Sequence, residues 1–476
     1  MYRGGLLMLR TSAIALVAGF SLGAAADAGV LFVKPIATGA GDCGSWTDAC
    51  TLMNAIDSAV SGDEVWVRAG VYGPIVLKDG VKIIGGFAGN ETSASQSNPA
   101  ANVTALDGGG NRRCVNSTNH SAATVLRGFA IRNGHDADDL GGGGLILSDS
   151  SAMIVQCTFE NNTASNMGGA VAVNVVDATN YSPQFINSTF RNNMSTFEGG
   201  AVFVQGAFVT FTNCLFHDNK AGGGGVYSSV SAHAIFTNCT MTNNQATMIR
   251  GGAVLDEYES VVLWNCILWG NTRLEGEPPV PILDQIYGPG FGPYVRNSDV
   301  QGGWTGTGNI DTDPLFQDIA GGKFNLQFGS PCKDTGSNAY LRADESDLDW
   351  DGDILETVPY DLTLRSRILG VTVDMGAYEV PFCGDGNCEA DENSCNCSQD
   401  CGPAAQTEQV DSTCNDGVDN DCDSLTDCAD ADCGPGIMCM GTVPTVSEWG
   451  LVILTLLLLT AAKVYFGHQP GRVAVK

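Results

Sequence analysis

Between residues 128 and 271 the apolar positions come in short alternating bursts, each closed by asparagine or glycine. "GGAVFV", "FVTFT" and "CLF" alternate as strands do, and none has helical length or spacing. Laid in register, the copies are "CTFENN" (157–162), "STFRNN" (188–193), "CLFHDN" (214–219), "CTMTNN" (239–244) and "CILWGN" (266–271), with a weaker forerunner, "GFAIRNG", at 128–134. Their final asparagines, 162, 193, 219, 244 and 271, lie 31, 26, 25 and 27 residues apart. "GGAV" recurs at 168–171, 199–202 and 251–254, with "GGGV" at 223–226. A period in the mid-twenties holding three short strands predicts a solenoid, because one such unit cannot bury its own apolar face.

The expected fold class is all-β, a parallel β-helix with three strands per coil forming a triangular prism. Each strand pairs with its counterpart about 4.8 Å along the axis. Stacking then puts Phe159, Phe190, Phe216, Met241 and Leu268 in one internal column, and Val171, Val202, Val226 and Val254 in another. Corners call for positive φ, which glycine and asparagine tolerate best. Asn187, Asn213, Asn238 and Asn265, just ahead of the Cys/Ser column, are expected to bond amide to amide as a structural ladder. Upstream, "DEVWVRAGVY", "GPIVLKDGVKIIGGF" and "VTALDGGG" continue the strands over 63–110. Residues 48–59 carry Ala49, Leu52, Ala55, Ile56 and Ala59 at helical spacing. A short helix there would cover the open solenoid end.

These coils resemble the pectin-lyase-like right-handed β-helix superfamily. More closely, residues 43–380 resemble the bacterial choice-of-anchor Q proteins. That likeness rests on "GDEVWVRAGVY", "IIGGFAGNET", the GGAV coils, "CILWGN", "SDVQGGWTGTGNIDTDPLF", "FNLQFGSPCKDTGS" and "VDMGAYE". The resemblance implies a right-handed solenoid on an exported surface protein, mostly of a kind with no assigned activity. The GGA-plus-Asn coils are also similar to passenger repeats of outer-membrane adhesins.

Composition narrows the class. Of 476 residues 61 are glycine and only 16% are charged, as suits a turn-rich folded β protein. The net charge of −30 argues against a nucleic-acid partner, which would call for Lys and Arg. The start reads as a secretory signal over 1–26: Arg3 and Arg10, the apolar stretch 12–23, then Ala24, Ala25 and Ala26. A membrane anchor is the alternative, although the apolar run is short. Export makes the 18 cysteines intelligible. Cys157, Cys214, Cys239 and Cys266 read as a buried inward column, with oxidised neighbours open as an alternative. Cys43 and Cys50 could close a short loop, and Cys114 and Cys332 have no evident assignment.

Catalytic chemistry is sparse. Polygalacturonase-type hydrolases share Asn-Thr-Asp, Asp-Asp, His-Gly and Arg-Ile-Lys elements, of which only Asp138-Asp139 is present. Asp136, Asp138 and Asp139, in "HDADDLGGGG", are the weak catalytic candidates, or calcium ligands, or simply a solvated loop. His217 sits at an outward strand position and reads as exposed.

The character of the chain changes in the stalk, 381–440. Residues 383–439 hold ten cysteines and 14 acidic side chains with no Lys or Arg, so disulfides and ions must supply stability. In "CNDGVDNDCDSLTDCADADC", Asp419, Asp421, Asp423, Leu425, Asp427 and Asp430 fall at positions 1, 3, 5, 7, 9 and 12 of a calcium-type loop. Ser424 at position 6 and Asp430 at 12 depart from the usual Gly and Glu, and a solvated acidic linker is the alternative. Segment 443–476 joins a Pro-Thr-x-x-x-Trp-Gly motif to an apolar run (449–466) and a basic end, a candidate membrane helix. It resembles the IPTL-CTERM sorting signal, in which Pro444, Thr445, Trp449 and Gly450 would be recognised by an exosortase-type membrane enzyme.

The expectation is therefore an exported cell-surface β-helix with a structural or adhesive role, binding glycan or protein along its face, with calcium in the stalk. The competing expectations are a polysaccharide lyase or glycoside hydrolase acting on acidic polysaccharide, and a passive spacer.

Overall fold

The computed structural model describes residues 28–136, 138–175, 181–256, 260–288, 292–381 and 397–402. The expected signal segment, nearly all of the stalk with Asp419–Asp430, and the tail with Pro444, Thr445, Trp449, Gly450 and helix 449–466 lie outside the described residues. Among the described residues no helix is long and apolar enough to cross a membrane. The chain divides into two units. The larger comprises Met1–Pro314, Thr335–Arg367 and Asp374–Tyr378, and the smaller comprises Leu315–Asp334, Ile368–Val373 and Glu379–Lys476.

One coil of the larger unit explains the repeat. It runs through the strands Thr189–Arg191, Met194–Ser195, Val202–Gln205 and Phe208–Thr212, and the next coil begins with Leu215–His217. Its corners are Asn192, Gly199, Gly206 and Asn213, with φ of 53°, 64°, 71° and 52°. These are the residue types for which a left-handed turn is least costly. Each coil here thus has four strands rather than the expected three. Two residues after the Asn-Asn pair align with the neighbouring coil before the Gly-Gly corner, and this adds a narrow six-stranded sheet to the main sheets of ten, nine and eight. Pairing between successive coils is parallel, the antiparallel hairpin of Thr272–Glu275 with Val280–Leu283 apart, so the unit is a parallel β-solenoid.

The two residues of each Gly-Gly pair do different jobs. Gly199 supplies the positive φ. At Gly200 a Cβ would stand 2.3 Å from the Gly225 carbonyl oxygen of the next coil, so only glycine lets the coils close.

Inside, Phe159, Phe190, Phe216, Met241 and Leu268 pair in register and are fully buried. Phe159 stacks on Phe190 at 4.8 Å, and Phe190 on Phe216 at 4.6 Å. A further column, Phe185, Phe211, Phe236 and Leu263, faces it. The valine column needs one correction. Tyr227, not Val226, pairs with Val202 and Val254, because the corner glycine equivalent to Gly199 and Gly251 is Gly224, the third of four consecutive glycines.

The asparagines form two columns of different character. The continuous amide ladder runs through Asn162, Asn193, Asn219, Asn244 and Asn271, the second residue of each pair, all 1% exposed or less. Each Nδ2 donates to the Oδ1 of the next coil at 2.8–3.0 Å for the first four, and Asn271 ends on Gln285 Oε1. In the expected column, Asn187, Asn213, Asn238 and Asn265, the residues are corners with φ of 47–54°. Asn213 donates to Asn187 Oδ1 at 3.0 Å and Asn265 to Asn238 Oδ1 at 3.4 Å. Their Nδ2 groups also reach a returning strap, at the carbonyls of Asp361, Tyr360, Asp374 and Ser337.

The N-terminal helix spans Leu52–Ser58, four residues shorter at its start than the apolar spacing predicts, and sends Leu52, Ala55 and Ile56 into the core. Cys50 accounts for the difference. Its N–H donates to the Phe32 carbonyl, its carbonyl accepts from Lys34 N–H, and it forms a disulfide with Cys43, all of which hold it extended. The other cysteines of this unit, Cys114, Cys157, Cys214, Cys239 and Cys266, are buried free thiols. Burial pushes the Cys157 thiol up to about 12, as expected of an inert packing residue.

In the smaller unit, Phe316–Asp318 pairs antiparallel with Lys323–Leu326, and Phe316 meets Phe324 edge-on at 5.7 Å.

Candidate functional site

A recess on the outside of the solenoid lies between residues 95–100 and the returning strap. Its floor is Gln156 and Thr158 in one coil and Asn187 and Thr189 in the next. Gln156 and Asn187 are corners (φ 52° and 47°), and Thr158 and Thr189 are partners in adjacent strands.

The first wall is 95–100. A capping box between Ser93 and Gln96 folds it. It sits close because Ser97 Oγ donates to the Gly85 carbonyl at 2.7 Å and Asn98 N–H to the Gly86 carbonyl at 2.8 Å. A Cβ on Gly86 would meet Pro99 N at 2.8 Å, so "GGF" is what allows this wall. The second wall is the returning strap, with Leu362, Leu364 and Tyr378. Buried Asp361 accepts from Thr363 N–H and Oγ1, both at 2.8 Å, and from Arg365 N–H at 3.0 Å. Leu362 N–H is tied to the Ala377 carbonyl, and Ala377 N–H to Thr240 Oγ1, which places Tyr378 beside the floor.

The recess is about 540 Å³, within the usual range of small-molecule sites. None of its lining residues is Asp, Glu, Lys, Arg or His. Gln156 is oriented by Arg127, whose Nε donates to its Oε1 at 2.8 Å and leaves the Nε2 as donor. Arg127 also donates to the Asp347 and Leu348 carbonyls and lies 4.1 Å over the Trp350 ring. What remains is a floor of hydroxyls and amides beside an apolar wall and one tyrosine.

The sequence candidates Asp136, Asp138 and Asp139 do not line this recess. Asp136 is 1% exposed; its Oδ1 accepts from Ser165 N–H at 2.6 Å, while its Oδ2 is buried with no partner. Asp138 is paired with Arg113 through both oxygens, and that guanidinium holds its carboxyl below the ordinary range. Asp139 is a turn residue whose carbonyl accepts from Asn166. His217 is 9% exposed rather than open to solvent, since its strand is covered and Nδ1 meets Asp218 Oδ2 at 2.7 Å.

A second acidic group is on the strap. Single oxygens of Asp344, Asp349 and Glu356, and of Asp347, Asp349 and Asp351, come within 4.8 Å of one another, a spacing one divalent cation can span. Burial pushes the Asp344 and Glu356 carboxyls up, and neighbouring aspartates add to it. The signal for this group was in the sequence as "DLDWDG" (347–352), with Asp at positions 1, 3 and 5 and Gly at 6 of a calcium-type loop. Position 12 is Val358 rather than Glu, which hides the motif.

Comparison with known proteins bears on the fold. Residues 171–277 match the family described as "Right handed beta helix region". The solenoid is a right-handed parallel β-helix. Residues 156–174 of this β-helix also match a "Chlamydia polymorphic membrane protein (Chlamydia_PMP) repeat". No curated protein matches the chain. Among solved structures, "Crystal structure of pectate lyase Pel9A" is similar at 10% identity, covering 74% of this chain and 96% of that one with a TM-score of 0.38, a likeness too distant to bear on chemistry.

Proposed function

We propose that this β-helix is an exported cell-surface protein of structural or adhesive kind, and that it binds glycan in the recess between the 95–100 wall and the returning strap. The observation that carries this reading is the recess itself. It is a preformed cavity of about 540 Å³ whose floor spans two coils and offers hydroxyl and amide groups without a charged side chain. Thr158 and Thr189 have no hydrogen-bond partner for their hydroxyls within the described fold, so these groups are available to a polyhydroxyl ligand.

The surface assignment draws on sequence: the export signal over 1–26, the choice-of-anchor Q motifs over 43–380, and the IPTL-CTERM-like tail with Pro444, Thr445, Trp449 and Gly450 for an exosortase-type enzyme. Calcium would be held in the stalk by Asp419, Asp421, Asp423, Asp427 and Asp430 with the Leu425 carbonyl, neutralising carboxylates that otherwise repel.

The test is a glycan array probed with the full chain, alongside incubation with uronate polymers followed for unsaturated products and reducing ends. Saturable binding without turnover is expected. Turnover would replace this reading with the enzymatic one, and an array blank throughout would leave a passive spacer.

A further inference from the structure

The absence of charge from the recess says which glycans belong there. Resting on the glycan reading above, we infer that the recess takes a neutral hexose chain and not a uronate polymer.

A uronate chain brings one carboxylate per residue. To enter a partly enclosed site, each must trade water for a cation or a set of strong donors, or bear the desolvation cost. No Lys, Arg or His lines this recess, and no acidic side chain lines it that could recruit a bridging cation. Arg127 is 3% exposed, and its guanidinium is committed to Gln156, Asp347, Leu348 and Trp350. The chain as a whole carries −30, so the long-range field also repels a polyanion.

A neutral sugar meets none of these costs. Its hydroxyls both donate and accept, which suits Thr158 and Thr189 (donor and acceptor) and the Gln156 Nε2 (donor). Its C–H faces suit Leu362, Leu364 and the Tyr378 ring on the opposite wall. Adjacent coils repeat at about 4.8 Å, close to the rise of one sugar unit, so the two threonines can serve consecutive units of a chain running along the axis.

The experiment is calorimetric titration of the full chain with hexamers of glucose, galactose and mannose, and with hexagalacturonate. The parent is compared with Thr189→Trp, which fills the floor from a partly exposed position, and with Thr158→Ala, which removes one floor hydroxyl. A neutral hexamer should bind with an affinity nearly constant between about 50 and 500 mM NaCl, since no ion pair is formed. Thr189→Trp should weaken it by at least about tenfold. Should Thr189→Trp fail to fold by circular dichroism, Thr158→Ala supplies the comparison, with a threefold or greater loss expected (about that much for one hydrogen bond). Tight, salt-sensitive binding of hexagalacturonate would overturn the neutral class while leaving glycan binding intact. Neutral binding untouched by both variants would move the site away from this recess. Silence from every hexamer would sink the glycan reading along with the inference.

Discussion

Asn193 gives both its backbone N–H and its side-chain Nδ2–H to a single acceptor, Asn219 Oδ1, at 3.1 and 3.0 Å. Asn219 repeats the arrangement one coil on, donating to Asn244 Oδ1 at 3.0 Å and to the Phe190 carbonyl at 2.9 Å. Replacing it with Leu strands donors and acceptors in both neighbouring coils, all without water. Asn219→Leu should therefore destabilise the β-helix by about 3–5 kcal/mol, from several unsatisfied groups at about 1–3 each. Asn192→Gly, at a corner whose role is positive φ, should change stability by less than about 1 kcal/mol. Denaturant midpoints of the two variants check the contrast.

A second contrast tests close approach. Gly200→Ala drives a Cβ to 2.3 Å from the Gly225 oxygen and 2.8 Å from Lys220 backbone, and neither strand can yield alone. A loss of about 2–4 kcal/mol is expected, as for severe overpacking. Gly73→Ala meets nothing within 4 Å and should stay within about 0.5 kcal/mol of the parent. Equal melting temperatures for both variants would remove the steric account of the Gly-Gly pair.

Glu91 gives the fold an acid-sensitive turn. Burial works against its charge, but N–H groups of Ala88, Gly89 and Asn90 donate to its carboxylate and prevail, holding its pKa below the ordinary value. A carboxyl with a depressed folded pKa contributes stability above its unfolded pKa, about 4.3, and loses it as pH falls through the folded value. Glu91→Gln should lower stability near neutrality and flatten its decline between about pH 5 and pH 3. Urea midpoints measured across that range are the readout, and parallel curves for parent and variant would count against the turn.

The strap carboxylates behave in the opposite sense. Asp344 and Glu356 have raised pKa values, from burial first and then from aspartates including Asp349. Their contribution is present below the unfolded pKa and is lost as pH rises through the folded value. Asp349→Asn relieves both, so its melting temperature relative to the parent should climb as pH increases from about 4 and then level off. A difference that shrinks with pH would show that Asp349 is compensated rather than repelled.

How far the sequence carried this architecture is clearest at the asparagine pairs. The period, the strand alternation and the phenylalanine column were all legible, because each is a local pattern repeated at a fixed interval. What the two asparagines do was not. "NN" specifies a corner followed by an inward amide, yet Asn162–Asn271 and Asn187–Asn265 look alike in composition, and only packing separates the dry ladder from the column that meets the strap. The recess was illegible for the same reason. Thr158 and Leu362 are brought to one site by a segment with no repeat of its own. The acidic loop at 344–356 escaped for a different reason: its twelfth position breaks the motif.

Repeat proteins usually change length by duplicating a unit, since each coil needs only its neighbours. Here the strap forbids that route. Ser337 exchanges two hydrogen bonds with Asn265, Tyr360 and Asp361 receive the amides of Asn213 and Asn187, and Leu348 accepts from Arg127. An inserted coil anywhere between residues 132 and 260 would push one set of these anchors about 4.8 Å out of reach of the other. The strap acts as a ruler, and evolution can lengthen this rod only by rewriting both at once.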